Sequence, residues 1–236
     1  PPRAVPSTKS AAPPTNRFRK QTAKLSAFSK RADWEMRIIG IPKTIDNDLA
    51  LTDHTPGYGS AAKYIGTSTK EIIRDSNSLE YGKGLVTVIE IMGRNAGWLT
   101  GAAALSKGED CEGPDLIYLP ELAFDVEKFV EKVKGLLEKK QSVVVAVSEG
   151  IRLADGRYVC ELTDGVDYVD AFGHKQMGGS AAYLALCLKE ATGAKIRAIE
   201  FSLMQRCAAH LASATDIQES RMLGKAACQY ALEGAG

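Results

Sequence analysis

No glycine occurs before Gly40, although the chain holds 22 glycines in 236 residues. A phosphate cradle built from backbone N–H groups needs glycine where the chain turns tightly, so the stretch before Gly40 cannot form one. Acidic residues are missing too: residues 1 to 32 carry Arg3, Lys9, Arg17, Arg19, Lys20, Lys24, Lys30 and Arg31 and no Asp or Glu. The rest of the chain then holds 22 basic against 29 acidic residues, so a net charge of +1 conceals an acidic body. The basic stretch is short, lacks interleaved aromatics and runs into a helical pattern, which argues against a nucleic-acid-binding arm or a targeting peptide. No apolar run approaches the roughly 20 residues that span a bilayer, so no membrane partner is expected. The five cysteines (Cys111, Cys160, Cys187, Cys207, Cys228) form no Cys-x-x-Cys, and His54, His174 and His210 form no pair at helical spacing. A disulfide framework and a zinc site are thereby excluded, and reduced thiols in a cytoplasmic setting are expected.

What is present is an ordinary globular composition, 44% apolar and 25% charged, on a chain long enough to bury a sizeable core. Residues 1 to 16 hold five of the nine prolines and read as a disordered basic tail. The pattern of residues 17–236 then alternates helices with strands. A helix is expected from Arg17 to Ala32, with Phe18, Ala23, Leu25 and Phe28 inward, followed by a buried strand from Met36 to Ile41. Gly57 to Leu79 repeats Ala61, Ala62, Ile65, Ile72, Ile73 and Ser76 at helical spacing. Val86–Ile91 and Ser142–Val147 are β-branched runs of the kind buried on both faces of a parallel sheet. Helices are expected over Ala96–Lys107, Val126–Lys139 (capped by Asp125), Gly178–Ala191 and most of Ala208–Leu232. Further strands are expected at Asp115–Leu119 and Lys195–Phe201, with an excursion off the sheet at 151–172. The order is that of an α/β fold with doubly wound parallel sheets and helices on both faces.

Chemistry concentrates in Gly40-Ile41-Pro42-Lys43-Thr44-Ile45-Asp46-Asn47-Asp48-Leu49, at the carboxyl end of the expected strand, where open α/β sheets place their sites. Two carboxylates, a hydroxyl and an ammonium lie together there, a set able to deprotonate an alcohol and hold a phosphate. By itself the run also fits an Asx-rich turn that caps the next helix. It does not stand by itself. Met92-Gly93-Arg94-Asn95-Ala96-Gly97, Ser148-Glu149-Gly150, and Arg197 followed nine residues later by Arg206 come after it in order. In these four motifs the chain resembles the phosphofructokinase family, and in Pro-Lys-Thr-Ile-Asp-Asn-Asp its pyrophosphate-dependent branch.

The resemblance implies transfer of a phosphoryl group from pyrophosphate to the C1 hydroxyl of fructose 6-phosphate, with magnesium, in a homo-oligomer that shares sites across an interface. Asp46 is then the base, Thr44 contacts the transferring phosphoryl, and Asp48 either steadies Asp46 or reaches a magnesium-bound water. Lys43 and Thr44 face the donor. ATP-dependent relatives carry glycine at the Lys43 position, and a lysine suits a compact, highly charged pyrophosphate. Thr44, Ile45, Asp46, Met92, Gly93, Arg94, Glu149, Arg197 and Arg206 are the implied sugar-phosphate residues. Gly173-His174-Lys175-Gln176-Met177 resembles the family's phosphate clamp but has Met177 for arginine. The interval to Arg197 assigns that role to Arg206, with Arg197 reaching a neighbouring subunit. Leu203 and Leu85 depart from the family's histidine and arginine. Without the glycine-rich donor loop the region reads as N-terminally truncated, and two other readings stand beside the first: a chain that binds sugar phosphate without catalysing, and an ATP-dependent kinase.

Overall fold

Val, Ile and Leu dominate Leu85–Ile91 and Ser142–Ser148, and in the computed structural model all seven residues of each strand are buried. Burying one such side chain stabilises the fold by about 1.5–3 kcal/mol, so this pair dominates the core energetics. The structure describes residues 15–79, 82–162 and 179–234. In chain order it contains α1 (Thr15–Arg31), α2 (Tyr58–Asn77), β1 (Leu85–Ile91), α3 (Trp98–Gly101), β2 (Leu116–Tyr118), β3 (Ala123–Phe124), α4 (Val126–Leu137), β4 (Ser142–Ser148), β5 (Arg152–Leu153), α5 (Ser180–Thr192), β6 (Lys195–Glu200), α6 (Met204–Cys207) and α7 (Ala214–Leu232).

The main sheet has the order β2-β4-β1-β6 and every pairing is parallel. Side chains alternate between its faces. Ile89, Ile91, Val144 and Ala146 pack on Ala61, Ala62, Ile65 and Ile73 of α2. Val86, Val88, Val143, Val145 and Val147 pack instead on Phe129 and Val133 of α4 and Ala181, Leu184 and Leu188 of α5. Helices therefore cover both faces, as expected. Asp125 caps α4, its carboxylate accepting from the Lys128 N–H at 3.0 Å. Because the strands are parallel, β1, β4 and β6 deliver Met92-Gly93-Arg94, Glu149-Gly150 and Phe201-Ser202 to one edge of the sheet.

Three expectations are corrected. Met36–Ile41 is not a strand, and Met36 and Ile41 are exposed. A strand needs a hydrogen-bonding neighbour, and among the described residues none lies beside this run. Next, α1 turns Thr22, Ser26 and Ser29 inward and leaves Leu25 and Phe28 exposed, since no described layer faces its apolar side. Phe18's side chain lies outside the described residues. Segment 15–41 is tied down by Arg37, which donates to the carbonyls of Ala231 and Leu232 at 2.8 and 3.1 Å and so caps the end of α7. Finally, the helix expected over Ala96–Lys107 is one α-turn followed by a 3-10 segment, Ala102–Ser106. The tail, apart from Thr15 and Asn16 at the start of α1, and the Gly173–Met177 segment lie outside the described residues.

Candidate active site

The Lys43–Asp48 loop is fixed by its own side chains. Thr44 Oγ1 accepts from the Asp46 N–H at 3.1 Å, and the Thr44 carbonyl accepts from Thr55 Oγ1 at 2.7 Å. Asn47 sits at φ 56°, a left-handed conformation that asparagine tolerates better than most residues. Its buried amide accepts from the Thr55 N–H at 3.0 Å and donates to the Asp53 carbonyl. Ile45 is buried in the core beside Gly57, where a Cβ would stand 3.2 Å from the Ile45 side chain. Ile45 therefore anchors the loop with its side chain, leaving only its backbone for a ligand. Between these anchors Lys43 is exposed, and Asp46 and Asp48 are half-buried.

At the end of β1, Gly93 adopts φ 134° and a Cβ there would meet the Ala96 carbonyl at 2.5 Å. A Cβ on Gly150 would lie 2.1 Å from the Arg94 carbonyl. Only glycine permits these two strand-end turns to interlock. The Gly93 N–H donates to Glu149 Oε1 at 3.4 Å, and Ser148 Oγ donates to the Gly93 carbonyl at 2.6 Å. Glu149 is thus held against the turn that carries Arg94.

Charge ties the loop to the strand ends. Asp46 has its pKa raised, first by burial and then by the Asp48 carboxylate, against the opposing pull of Lys43 and Arg94. Glu149 is pushed up to about 7, chiefly by burial, with Asp46 and Glu200 adding to the rise and Gly93 and Arg94 opposing it. Mutual influence of this kind requires proximity, so Lys43, Asp46, Asp48, Gly93, Arg94 and Glu149 form one constellation. A carboxylate of raised pKa beside an arginine and a lysine suits proton abstraction from an alcohol next to an anion. Asp48 Oδ1 is buried and has no hydrogen-bond partner among the described residues, an unsatisfied acceptor on the carboxylate that raises the Asp46 pKa.

Arg197 and Arg206 lie on other elements, β6 and α6. Arg197 lies on β6, an edge strand, and its guanidinium pairs with Asp75 of α2 at 2.9 Å. It lines a separate cavity of about 420 Å³ with Tyr64, Glu71, Ile199 and Met204. Arg206 is exposed on α6. Met92 is connected: its N–H donates to Gln205 Oε1 at 3.2 Å, and Gln205 Nε2 donates to the Ser202 carbonyl at 3.0 Å.

Gln205 and Glu90 were not among the expected residues. Buried Gln205 bridges the Met92 and Ser202 turns, and Ser202 stands at φ 44°, a strained backbone. Glu90 lies within β1, accepts from the Ala181 N–H at 2.8 Å, and is pushed to about 7 mainly by burial. Glu90, Glu149, Glu200 and Gln205 surround a small cavity of about 50 Å³. One signal for Glu90 was available: it is the single ionisable residue in an otherwise uncharged β-branched run. Asp216 was also missed. Its carboxylate accepts from the Gly57 N–H at 2.8 Å, the Ser60 N–H at 3.3 Å and Ser60 Oγ at 2.5 Å, joining the starts of α2 and α7.

An open parallel sheet with paired aspartates, a lysine, an arginine and strand-end glycines along its carboxyl edge is the architecture of a phosphate-handling α/β protein. The chain belongs to the phosphofructokinase family, whose profile matches residues 17–231. It is similar to the pyrophosphate–fructose 6-phosphate 1-phosphotransferase of Xanthomonas campestris, 44% identical over 211 residues that make up 89% of this chain and 50% of that one. The sulfofructose kinase of Alkalicoccus urumqiensis is 31% identical over 207 residues, 88% of this chain and 52% of that protein. Among solved structures, the pyrophosphate-dependent phosphofructokinase from Nitrosospira multiformis superimposes with a TM-score of 0.73 at 34% identity, covering 91% of this chain and 50% of that one. The chain therefore spans about half the length of the curated relatives it matches. Among the described residues no helix is long and apolar enough to cross a membrane.

Proposed function

We propose that this chain carries the phosphoryl-transfer site of a pyrophosphate-dependent 6-phosphofructokinase. The observation that carries the reading is the Lys43–Asp46–Arg94–Glu149 constellation, in which a partly buried carboxylate of raised pKa feels the charges of two cations. Asp46 takes the proton from the C1 hydroxyl of fructose 6-phosphate, and the freed oxygen attacks one phosphorus of pyrophosphate. The bridging P–O bond breaks, its electron pair leaves with inorganic phosphate, and fructose 1,6-bisphosphate forms. Lys43 and Thr44 face the donor; Met92, Gly93, Arg94 and Glu149 face the sugar. Arg206 holds the sugar's own phosphate, and Arg197, on the edge strand, reaches the site of a second copy in a homo-oligomer. The setting proposed is cytoplasmic.

Magnesium fits the residues present. No group of three or more His, Cys, Asp or Glu able to hold a metal exists among the described residues, but Asp48 presents an unsatisfied buried oxygen beside Asp46. Magnesium is commonly held by one or two carboxylates with the remaining positions filled by water and substrate phosphates. Asp48 would hold it together with water and substrate phosphates, leaving Asp46 free as the base, and it would neutralise charge on the transferring phosphoryl. The test is formation of fructose 1,6-bisphosphate from fructose 6-phosphate, pyrophosphate and magnesium. Product is expected; fructose 6-phosphate binding with no product would favour a chain that only binds.

A further inference from the structure

The turn that carries Arg94 is bracketed by two glycines. Gly93 and Gly97 are both buried, Gly93 stands at φ 134°, and only Arg94, Asn95 and Ala96 lie between them. Glycine loses more conformational freedom on folding than any other residue, so the local sequence does little to fix this turn. Its inner side is held by Ser148, Glu149 and Gly150. Its outer side is held by the small sheet in which β3 and β5 run parallel, Ala123 beside Arg152 and Phe124 beside Leu153. Each arm of that sheet supplies one side chain to the turn. Glu121, just before β3, accepts from the Gly97 N–H through Oε1 at 2.7 Å. Arg152, the first residue of β5, donates from Nη2 to Asn95 Oδ1 at 2.8 Å.

Arg152 is itself held. It stands opposite Tyr158 in a short antiparallel bridge, and its guanidinium lies 4.3 Å from the centre of the Tyr158 ring. The same Nη2 donates to the Tyr158 hydroxyl at 2.5 Å. Ile151 and Val159, the neighbours of this pair, are fully buried, and the Val159 N–H donates to the Ile151 carbonyl at 3.1 Å. The bridge is therefore anchored in the core. A planar guanidinium can stack on a ring and offer a fork at its edge, which an ammonium cannot. We propose that Arg152 is a positioning residue: through Asn95 it fixes the turn that aims Arg94 at the sugar, and it touches no substrate itself. This assignment rests on the phosphoryl-transfer reading above, in which Arg94 faces the sugar. Asn95 is exposed and Arg152 half-buried, so their contact contributes little to stability. What it governs is the placement of the residue next to Asn95, where a small error costs far more.

The experiment is titration of the whole chain with fructose 6-phosphate, read by calorimetry, for the parent, Arg152→Met, Asn95→Ala, the two combined, and Arg152→Lys, with melting temperatures alongside. Arg152→Met and Asn95→Ala are each expected to weaken fructose 6-phosphate binding about tenfold. The double variant should bind no more weakly than either single one, because both changes break the same link. Arg152→Lys keeps the charge but loses the fork and the stacking, so it should restore only part of the affinity. Melting temperatures should match the parent throughout. A loss in Arg152→Met that Asn95→Ala does not share would mean that the guanidinium meets the sugar directly, and would overturn the positioning role. A melting temperature that falls in step with affinity would overturn it too, leaving a purely structural brace. Parent affinity in both single variants would overturn the assignment and leave the phosphoryl-transfer reading intact. A parent chain that ignores fructose 6-phosphate at millimolar concentration would overturn that reading and the assignment with it.

Discussion

At the ends of β1 and β4 the site is held by backbone and by glycines with no room for a side chain, whereas between Lys43 and α7 it is an open cavity with exposed cations on its wall. On the first side Gly93 and Gly150 interlock with neighbouring carbonyls, and Glu149 and Gln205 take N–H groups from the β1 turn. On the second side Lys43 and Arg221 are exposed, and neither makes an ion pair with a described residue. The difference separates two kinds of residue. Changes at the strand-end glycines should alter the fold itself, while a change at exposed Lys43 should leave the fold in place.

The largest effect should come from Gly150→Ala. A Cβ there would sit 2.1 Å from the Arg94 carbonyl, and backbone on both sides must move. A loss of several kcal/mol is expected, on the scale of the worst single substitutions, seen as a collapse of the melting temperature or of soluble yield. A Gly150→Ala chain as stable as its parent would break the distinction between the two sides. Asp46→Asn comes next and belongs to the chemistry: turnover should fall by about 10²–10⁴-fold while fructose 6-phosphate affinity stays near the parent value, as steady-state kinetics beside a binding titration would report.

Acid and base separate the sides further. Glu90 has a folded pKa near 7, above its ordinary value of 4.5, because burial disfavours its charge. A raised carboxylate pKa means that the folded state binds the proton more tightly than the unfolded state. Its contribution is complete below about pH 4.5 and is lost as pH rises through 7. The parent should therefore melt at lower temperature at pH 8 than at pH 5. Glu90→Gln should flatten that slope by on the order of 3 kcal/mol, Glu149 supplying the remainder. A slope of opposite sign would contradict the burial account. The smallest effect is that of Gln205→Leu, which strands the Met92 N–H and should cost about 1–3 kcal/mol in chemical denaturation.

Much of this was legible in the residues. β1 and β4 could be read because a strand buried on both faces must be apolar throughout, so composition and environment coincide. The loop could be read because Asp46, Asp48 and Lys43 lie within six residues of one another and the other motifs follow in order. Met36–Ile41 and α1 misled for one reason. Apolar residues such as Leu25, Phe28 and Met36 state a preference for burial, but burial also needs an opposing layer, and that is not a property of the segment. Asp216 and Gln205 could not be found from local pattern, because their partners lie more than a hundred residues away in the chain. The pairing of Arg197 with Asp75 was illegible for the same reason, since the two lie 122 residues apart in the chain.

The most direct test of the central claim is donor choice. Fructose 1,6-bisphosphate formation would be followed with pyrophosphate and with ATP side by side, for the parent chain and for Lys43→Gly. The account predicts turnover of the parent with pyrophosphate and none with ATP, and loss of the pyrophosphate reaction when Lys43 is removed. Turnover with ATP alone, or a pyrophosphate reaction indifferent to Lys43, would contradict it.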